Sequence, residues 1–179
     1  MKKALVQIVG YPIVTVLRLF KPKDIVRHKI TVYTTLFGLL YGYNIKAINF
    51  ILNQLNLESN FGKSNLAKTI NNVTGMRCVS VRQTTQSGCF TTPNNGPFGM
   101  YPNVLASVQD RFLWGQYFQE DKKNQYQIEL LASQTYCSAD ENYVQKINSL
   151  PNLNWCIYLI ILSIPVTLIT PLLILKKYK

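Results

Sequence analysis

The stretch Ile51–Met76, ILNQLNLESNFGKSNLAKTINNVTGM, decides how the rest of the chain is read. Ile48, Ile51, Leu52 and Leu55 fall at i, i+3, i+4 and i+7, the spacing of one apolar helix face. Asn49, Asn53 and Asn56 fall on the opposite face, and Gly62 is a natural stop just beyond. Glu58 is the only acidic residue between Asp24 and Asp110. It follows Gln54 and Leu55 by one turn, which puts it at the edge of the apolar face. A carboxyl there feels the negative end of the helix dipole and partial burial, and both favour its neutral form. A carboxyl protonated near neutrality is what a general acid requires. A solvated glutamate in the last turn of a core helix satisfies the same spacing, so spacing alone does not choose between the two.

On either side of this stretch the chain alternates short helical and turn signals. Ile30–Tyr43 is apolar but short and rich in Thr, Tyr and Gly, which predicts a buried helix against 46–58 with Gly42–Asn44 as the turn. A membrane hairpin is the alternative that its apolar character allows. Ser64–Ile70 reads as a short helix. Residues 77–100 alternate apolar and polar and are rich in Val, Thr, Gly and Asn, the language of a strand hairpin with Pro93–Pro97 as a loop. Helices are expected over 104–119, 124–133 and 142–148, with Leu105, Val108, Phe112 and Trp114 or Gly115 facing inward. Residues 151–154 form a linker.

The chain has 179 residues and a net charge of +11, but the charge is uneven. Lys2, Lys3, Arg18, Lys21 and Lys23 crowd residues 1–23 without an acid, and Lys176, Lys177 and Lys179 end the chain. Residues 24–150 carry all the acids and are close to balanced. Basic termini of this kind point to anionic lipid headgroups, or nucleic acid near a membrane, before a DNA-binding domain. Residues 4–20 are apolar but interrupted by Pro12, with an uncharged run of about 14 residues and no cleavage signature. That suggests a helix lying on a membrane, with an uncleaved signal anchor or a helix packed on the domain as alternatives. Residues 155–175 hold no charge over 21 positions. As a helix they would reach about 31 Å, the thickness of a hydrocarbon core. Trp155 and Tyr158 suit one interface and the terminal lysines the other, so a transmembrane helix with the domain on the outer side is expected.

Four motifs in order resemble a known family. Gln54 and then Glu58-Ser59-Asn60-Phe61-Gly62-Lys63-Ser64 are similar to AQAxLESGWGxS, and Asn71-Asn72-Val73-Thr74-Gly75-Met76-Arg77 to NNLFGIK. Tyr101-Pro102-Asn103 with Ser107 and Asp110 resembles YxSxxESIxD, and Tyr136–Lys146 resembles YATDPxYAxK. These are patterns of the peptidoglycan glucosaminidases of glycoside hydrolase family 73, in the lysozyme-like group. The resemblance covers roughly residues 45–150. It implies an α+β, mainly α, lysozyme-like domain over 24–150 with a small β-hairpin lobe, to which the C-terminal transmembrane helix would be added. It implies peptidoglycan glycan strands as substrate, with Glu58 as general acid and Tyr136 near the reaction centre. Gln54, Phe61, Asn72, Gly75 and Tyr101 would shape or line the sugar groove, Phe61 standing where the family has tryptophan.

The resemblance also sets a problem. Two-carboxylate glycosidases need a second Asp or Glu at a set distance. Residues 77–100, the expected lobe, contain neither. Asp110 and Asp140 are the nearest candidates, both in segments expected to cap or buttress helices. A single-acid mechanism follows, in which the substrate's N-acetyl group or a positioned water stabilises the developing cation. A lytic transglycosylase also works with one glutamate, and a structural membrane protein with a decayed domain, or a pore former, are readings of another class. Cys78 and Cys89 flank the expected hairpin and can pair in an oxidising space, reduced thiols being the alternative. Cys137 and Cys156 read as packing residues. His28 is the only histidine and no metal-binding spacing occurs, so no cofactor or metal is implied. A membrane-tied wall hydrolase without wall-binding repeats resembles a phage virion or lysis enzyme with virion or envelope proteins as partners. A bacterial envelope-remodelling enzyme fits the same features.

Overall fold

The computed structural model describes residues 2–20, 24–92, 95–136 and 140–177, with side chains to Thr15 in the first helix and to Pro165 in the last. In chain order the elements are α1 (Lys2–Phe20), α2 (Ile25–Tyr41), α3 (Ile45–Glu58), α4 (Asn65–Thr69), β1 (Gly88–Thr92), β2 (Asn95–Met100), α5 (Val104–Tyr117), α6 (Gln125–Leu131), a π-helical turn (Ala132–Tyr136), α7 (Tyr143–Asn148) and α8 (Asn154–Lys177). This is a mainly helical α+β arrangement with one antiparallel two-stranded sheet, and it fits the lysozyme-like fold.

The helices begin and end where local chemistry sets them. Asn44, Ser64, Asn103 and Asn124 each accept a hydrogen bond from the backbone N–H three residues on, capping α3, α4, α5 and α6. Gly42 ends α2 in the left-handed conformation. The N–H of Tyr43 donates to Gly38 O and that of Gly42 to Leu39 O, closing the turn expected between α2 and α3.

α3 is the axis of the core. Ile48, Ile51, Leu52 and Leu55 are fully buried, and each stabilises the fold by about 1.5–3 kcal/mol relative to exposure. The opposite, asparagine face is also partly covered. Asn53 and Asn56 are buried, and residues 151–153 run across Asn49 and Asn53. Asn53 Nδ2 donates to Pro151 O at 3.3 Å, and Asn49 Oδ1 accepts from Leu153 N at 2.8 Å. The 151–154 linker is therefore a strap over α3.

Three further expectations are corrected. The stretch 77–87 forms no strand beyond a bridge between Arg77 and Phe98; the hairpin lies later, in β1 and β2, with Pro97 inside β2 rather than in a loop. Residues 93 and 94, at its tip, lie outside the described residues. α1 is not set apart from the domain: Val6, Val9, Ile13 and Val14 form its inner stripe and join the common core. Their i, i+3, i+7, i+8 spacing folds one face onto α2. For the expected C-terminal span, 155–175 is helical within α8, but Ile157 and Ile160 are buried in the core. Among the described residues no helix is long and apolar enough to cross a membrane. Side chains beyond Pro165 lie outside the described residues.

At the centre an ion pair stands among aromatic rings. Arg111, on α5, donates from Nη2 to Glu120 Oε1 at 2.8 Å and from Nη1 to Oε2 at 3.1 Å, both side chains fully buried. Tyr43 donates to Glu120 Oε2 at 2.7 Å, and the Arg111 guanidinium lies 4.7 Å from the Trp114 ring centre. Phe112, next along α5, stacks on Tyr41 at 5.7 Å and meets Tyr43 edge-on at 5.3 Å. Removing one member of such a pair strands a buried charge. Glu120→Ala is expected to destabilise the domain by about 3–5 kcal/mol and lower its melting temperature by roughly 10 °C. The joint replacement Arg111→Met with Glu120→Leu should cost less than Glu120→Ala alone. Thermal melts followed by circular dichroism check both.

Candidate active site

Glu58 is the last residue of α3, and the turn after it explains the local sequence. Ser59 is buried; its Oγ donates to Leu55 O at 2.7 Å and accepts from Gly62 N at 2.9 Å. Asn60, Phe61 and Gly62 all take positive φ (47°, 54° and 79°), so the chain leaves the helix by a tight left-handed turn. Glu58 is thereby held half-exposed on the rim of the core.

Its carboxylate is gripped from behind. Tyr143, on α7 and buried, donates to Glu58 Oε1 at 2.5 Å. Gln54 Nε2 donates to the Tyr143 hydroxyl at 3.2 Å, and Gln54 Oε1 accepts from Arg111 Nε at 2.7 Å. An unbroken chain of hydrogen bonds thus runs from Glu120 through Arg111, Gln54 and Tyr143 to Glu58. Burial pushes the Glu58 pKa above the ordinary carboxylate value, and the Tyr143 hydrogen bond opposes that rise only in part. The Tyr143 pKa is itself raised, by burial first and then by Tyr136 and Glu58, so it remains a protonated donor.

The second wall is the segment 71–76. Gly75 has φ +68°, and a Cβ there would lie 2.5 Å from Glu58 Oε2, so glycine is needed both for conformation and for close approach. Tyr136 donates its hydroxyl hydrogen to Thr74 O, stacks on Tyr143 at 6.3 Å and meets Trp114 edge-on at 5.2 Å. Its pKa is raised, mainly by burial and next by the Glu58 charge. Asn72 fixes the segment: Nδ2 donates to Met76 O and Gly99 O, both at 2.9 Å, and Oδ1 accepts from the Thr74 hydroxyl at 3.1 Å. The same bonds dock β2 on the loop.

The lobe is fastened twice more. Cys78 and Cys89 are disulfide-bonded with Cα atoms 5.5 Å apart, tying the irregular 77–87 stretch to β1. Arg82 Nη1 and Nη2 reach Asp110 Oδ1 and Oδ2 at 2.8 and 2.9 Å. Asp110 also accepts from Thr84 Oγ1 at 2.8 Å and from Tyr101 OH at 2.7 Å.

Of the residues singled out in the sequence, Glu58, Gly75 and Tyr136 come together. Gln54 is fully buried behind Tyr143, Asn72 is buried inside the loop, and Tyr101 is buried against Asp110; none presents a surface to a substrate. Phe61 is half-exposed beside the Arg27 guanidinium, 5.0 Å from its ring centre. The two candidates for a second carboxylate are committed elsewhere: Asp110 is enclosed, and Asp140 is on the surface 2.6 Å from Lys146 Nζ, whose hydrogen bond holds its pKa down. Cys137 lies outside the described residues. Sequence reasoning missed Tyr143, Arg111 and Glu120. Arg111 does carry a signal, as a lone charge within an apolar helix face, but its partners sit in distant segments. Among the described residues no group of three His, Cys, Asp or Glu could hold a metal ion.

A family model described as glucosaminidase, mannosyl-glycoprotein endo-beta-N-acetylglucosaminidase, matches residues 39–154. The chain belongs to this family. It is a glycoside hydrolase acting on peptidoglycan, as the four motifs implied. The catalytic domain of the autolysin Auto from Listeria monocytogenes is similar in structure at 16% identity and TM-score 0.45, covering 69% of this chain and 79% of that one. A type VI secretion effector–immunity complex from Pseudomonas protegens is similar at 14% identity and TM-score 0.49, covering 80% and 92%. No curated protein matches the sequence significantly.

Gly75→Ala tests the wall opposite Glu58. The left-handed backbone alone costs an alanine roughly 1–2 kcal/mol. The new methyl must also displace the carboxylate, and turnover is expected to fall by about tenfold or more while the fold persists. Paired melting curves and rates on cell-wall sacculi read the two effects separately.

Proposed function

We propose that the protein cleaves glycan strands of peptidoglycan as an endo-β-N-acetylglucosaminidase, with Glu58 as its general acid. One observation carries the assignment. Two carboxylates are enclosed in the interior, and Arg82 neutralises Asp110 while Arg111 neutralises Glu120. Glu58 receives only a neutral tyrosine hydroxyl. Half-buried at the end of α3 without a cation partner, it is the carboxyl whose protonated form burial favours, the form that can pass a proton to a glycosidic oxygen.

The step we assign is proton transfer from Glu58 to the leaving oxygen as the glycosidic bond breaks. The substrate's own N-acetyl oxygen, or a water held in the groove, stabilises the cation until a water adds at the anomeric carbon and returns a proton to Glu58, completing hydrolysis. The Tyr136 hydroxyl donates to Thr74 O, so its remaining lone pairs offer electron density toward that centre. Tyr143 fixes the Glu58 carboxyl. The absence of any Asp or Glu in residues 77–100, with Asp110 enclosed, also favours a second reading, a lytic transglycosylase, in which the sugar's own 6-hydroxyl closes on the anomeric carbon. The disulfide supports work outside the cytoplasm, on the wall-facing side of an envelope, where local opening of the wall is the task we assign.

Digestion of purified sacculi by the full chain, followed by mass spectrometry, tests the reaction. Fragments with reducing-end N-acetylglucosamine are expected; 1,6-anhydro-N-acetylmuramic acid ends would establish the transglycosylase. A folded protein yielding no fragments would mean a structural role. Glu58→Gln should abolish cleavage without loss of fold. Because burial raises the Glu58 pKa, the wild-type carboxyl contributes its full stability when protonated and loses part of it as pH rises through the folded-state pKa. Glu58→Gln should therefore melt no lower than wild type above that pH.

Tyr143→Phe removes a hydrogen bond that favours the ionised form, so the basic limb of the pH–rate profile should move to higher pH. An unmoved limb with turnover merely reduced would mean that Tyr143 acts only through packing.

A further inference from the structure

α3 is 14 residues long, so its two ends lie roughly 20 Å apart. Glu58 occupies one end. At the other, a cavity of about 670 Å³ is lined by Asn44, Lys46, Lys123, Tyr126, Asn154 and Tyr158 among others, with no acidic residue in its wall. Lys46 and Lys123 are exposed, and Asp121 beside them accepts from the Lys123 backbone N–H at 3.0 Å.

α8 begins at this cavity with Asn154. Its inner residues Ile157 and Ile160 are buried, while Trp155, Tyr158, Leu159 and Leu162 are 63%, 54%, 57% and 70% exposed. These four fall at i, i+3, i+4 and i+7, one continuous outward stripe. α1 packs beside α8 and repeats the pattern. Its inner stripe joins the core, yet Leu5, Ile8 and Tyr11 face outward, 42%, 67% and 67% exposed. Lys2 Nζ lies 4.1 Å over the ring of Tyr41 at the end of α2, which brings the basic start of α1 to the same end of the domain as the cavity. Both helices are therefore apolar on two faces, and only one of each is used by the fold. Contiguous exposed apolar surface of this kind marks an interaction site.

We propose that the α1–α8 face is a membrane-docking surface that seats the domain on a bilayer with anionic headgroups. The apolar stripes enter the boundary of the acyl chains, Trp155 and Tyr158 lie at headgroup level, and Lys46 and Lys123 meet lipid phosphate at the mouth of the cavity. Charge selects this occupant. A second copy of the chain would bring the same lysines to the same rim, whereas an anionic bilayer supplies the opposite charge and an apolar layer together. This surface stands independently of which glycosidic bond is cut.

The test is co-sedimentation of the full chain with phosphatidylcholine vesicles with and without phosphatidylglycerol. Wild type is expected to pellet with the anionic vesicles and to be released by salt. Lys46→Gln with Lys123→Gln should weaken that binding by about 30-fold, from roughly 1 kcal/mol per basic side chain near the surface. Leu159→Asp with Leu162→Asp should abolish it. Unchanged melting curves and unchanged cleavage of sacculi keep these variants interpretable. Wild type left in the supernatant with both vesicle types would overturn the proposal, as would stripe variants that bind like wild type. Binding that ignores lipid charge and resists alkaline carbonate would replace surface docking with insertion. A stable dimer dissociated by the stripe variants would assign the face to a second copy.

Discussion

Arg111 and Glu120 are buried together, and much of the active site depends on their being satisfied there. A buried ion pair is weak evidence for stability but strong evidence for geometry, because neither partner can leave without stranding the other. Arg111 spends its Nη donors on Glu120 and its Nε on Gln54. Gln54 is then fixed as a donor toward Tyr143, and Tyr143 as a donor toward Glu58. The direction of each hydrogen bond is set by the one before it. An arginine that cannot accept thus orients a tyrosine two side chains away.

The same logic of charge separates structural from reactive carboxyls. Asp110 closes the lobe onto α5 with Arg82, Thr84 and Tyr101, and is consumed in doing so. Glu120 is consumed by Arg111. Glu58, half-buried at the rim, has no cation partner, so the Tyr143 hydrogen bond offsets the effect of burial only in part. The disulfide and the Asp110 cluster both hold the irregular stretch 77–87, which has too little strand pairing to hold itself. A lobe built this way can form a wall of the cleft without contributing a carboxylate to the chemistry.

Several features of this arrangement were legible in the residues. The apolar spacing of Ile48, Ile51, Leu52 and Leu55 placed α3 and its buried face. The Gly42–Asn44 turn and the helix starts near 64 and 104 were read from local residues, and the structure shows caps at Asn44, Ser64 and Asn103 because capping is chemistry between neighbours. The motif around Glu58 placed the acid at the helix end, and the turn residues Ser59 to Gly62 each have a role there. Gln54, Asn72 and Tyr101 were noticed for the same motifs, yet they stand behind the groove. A motif marks which residues matter without stating which layer they occupy.

The sequence by itself determined the helical periods, the turn between α2 and α3, the lone acid of the central stretch and the family, since all of these are written in local spacing and order. Tertiary structure alone decided that Asn49 and Asn53 of α3 meet the strap at 151–153, and that α1 and the start of α8 join the core. It also decided that Asp110 and Glu120 are neutralised while Glu58 is not. Partners such as Tyr143 and Glu58, 85 residues apart, meet only when the chain has folded, and no periodicity records such a meeting. Burial and charge pairing are properties of the assembled interior, and they convert one glutamate among eight acidic residues into a candidate acid.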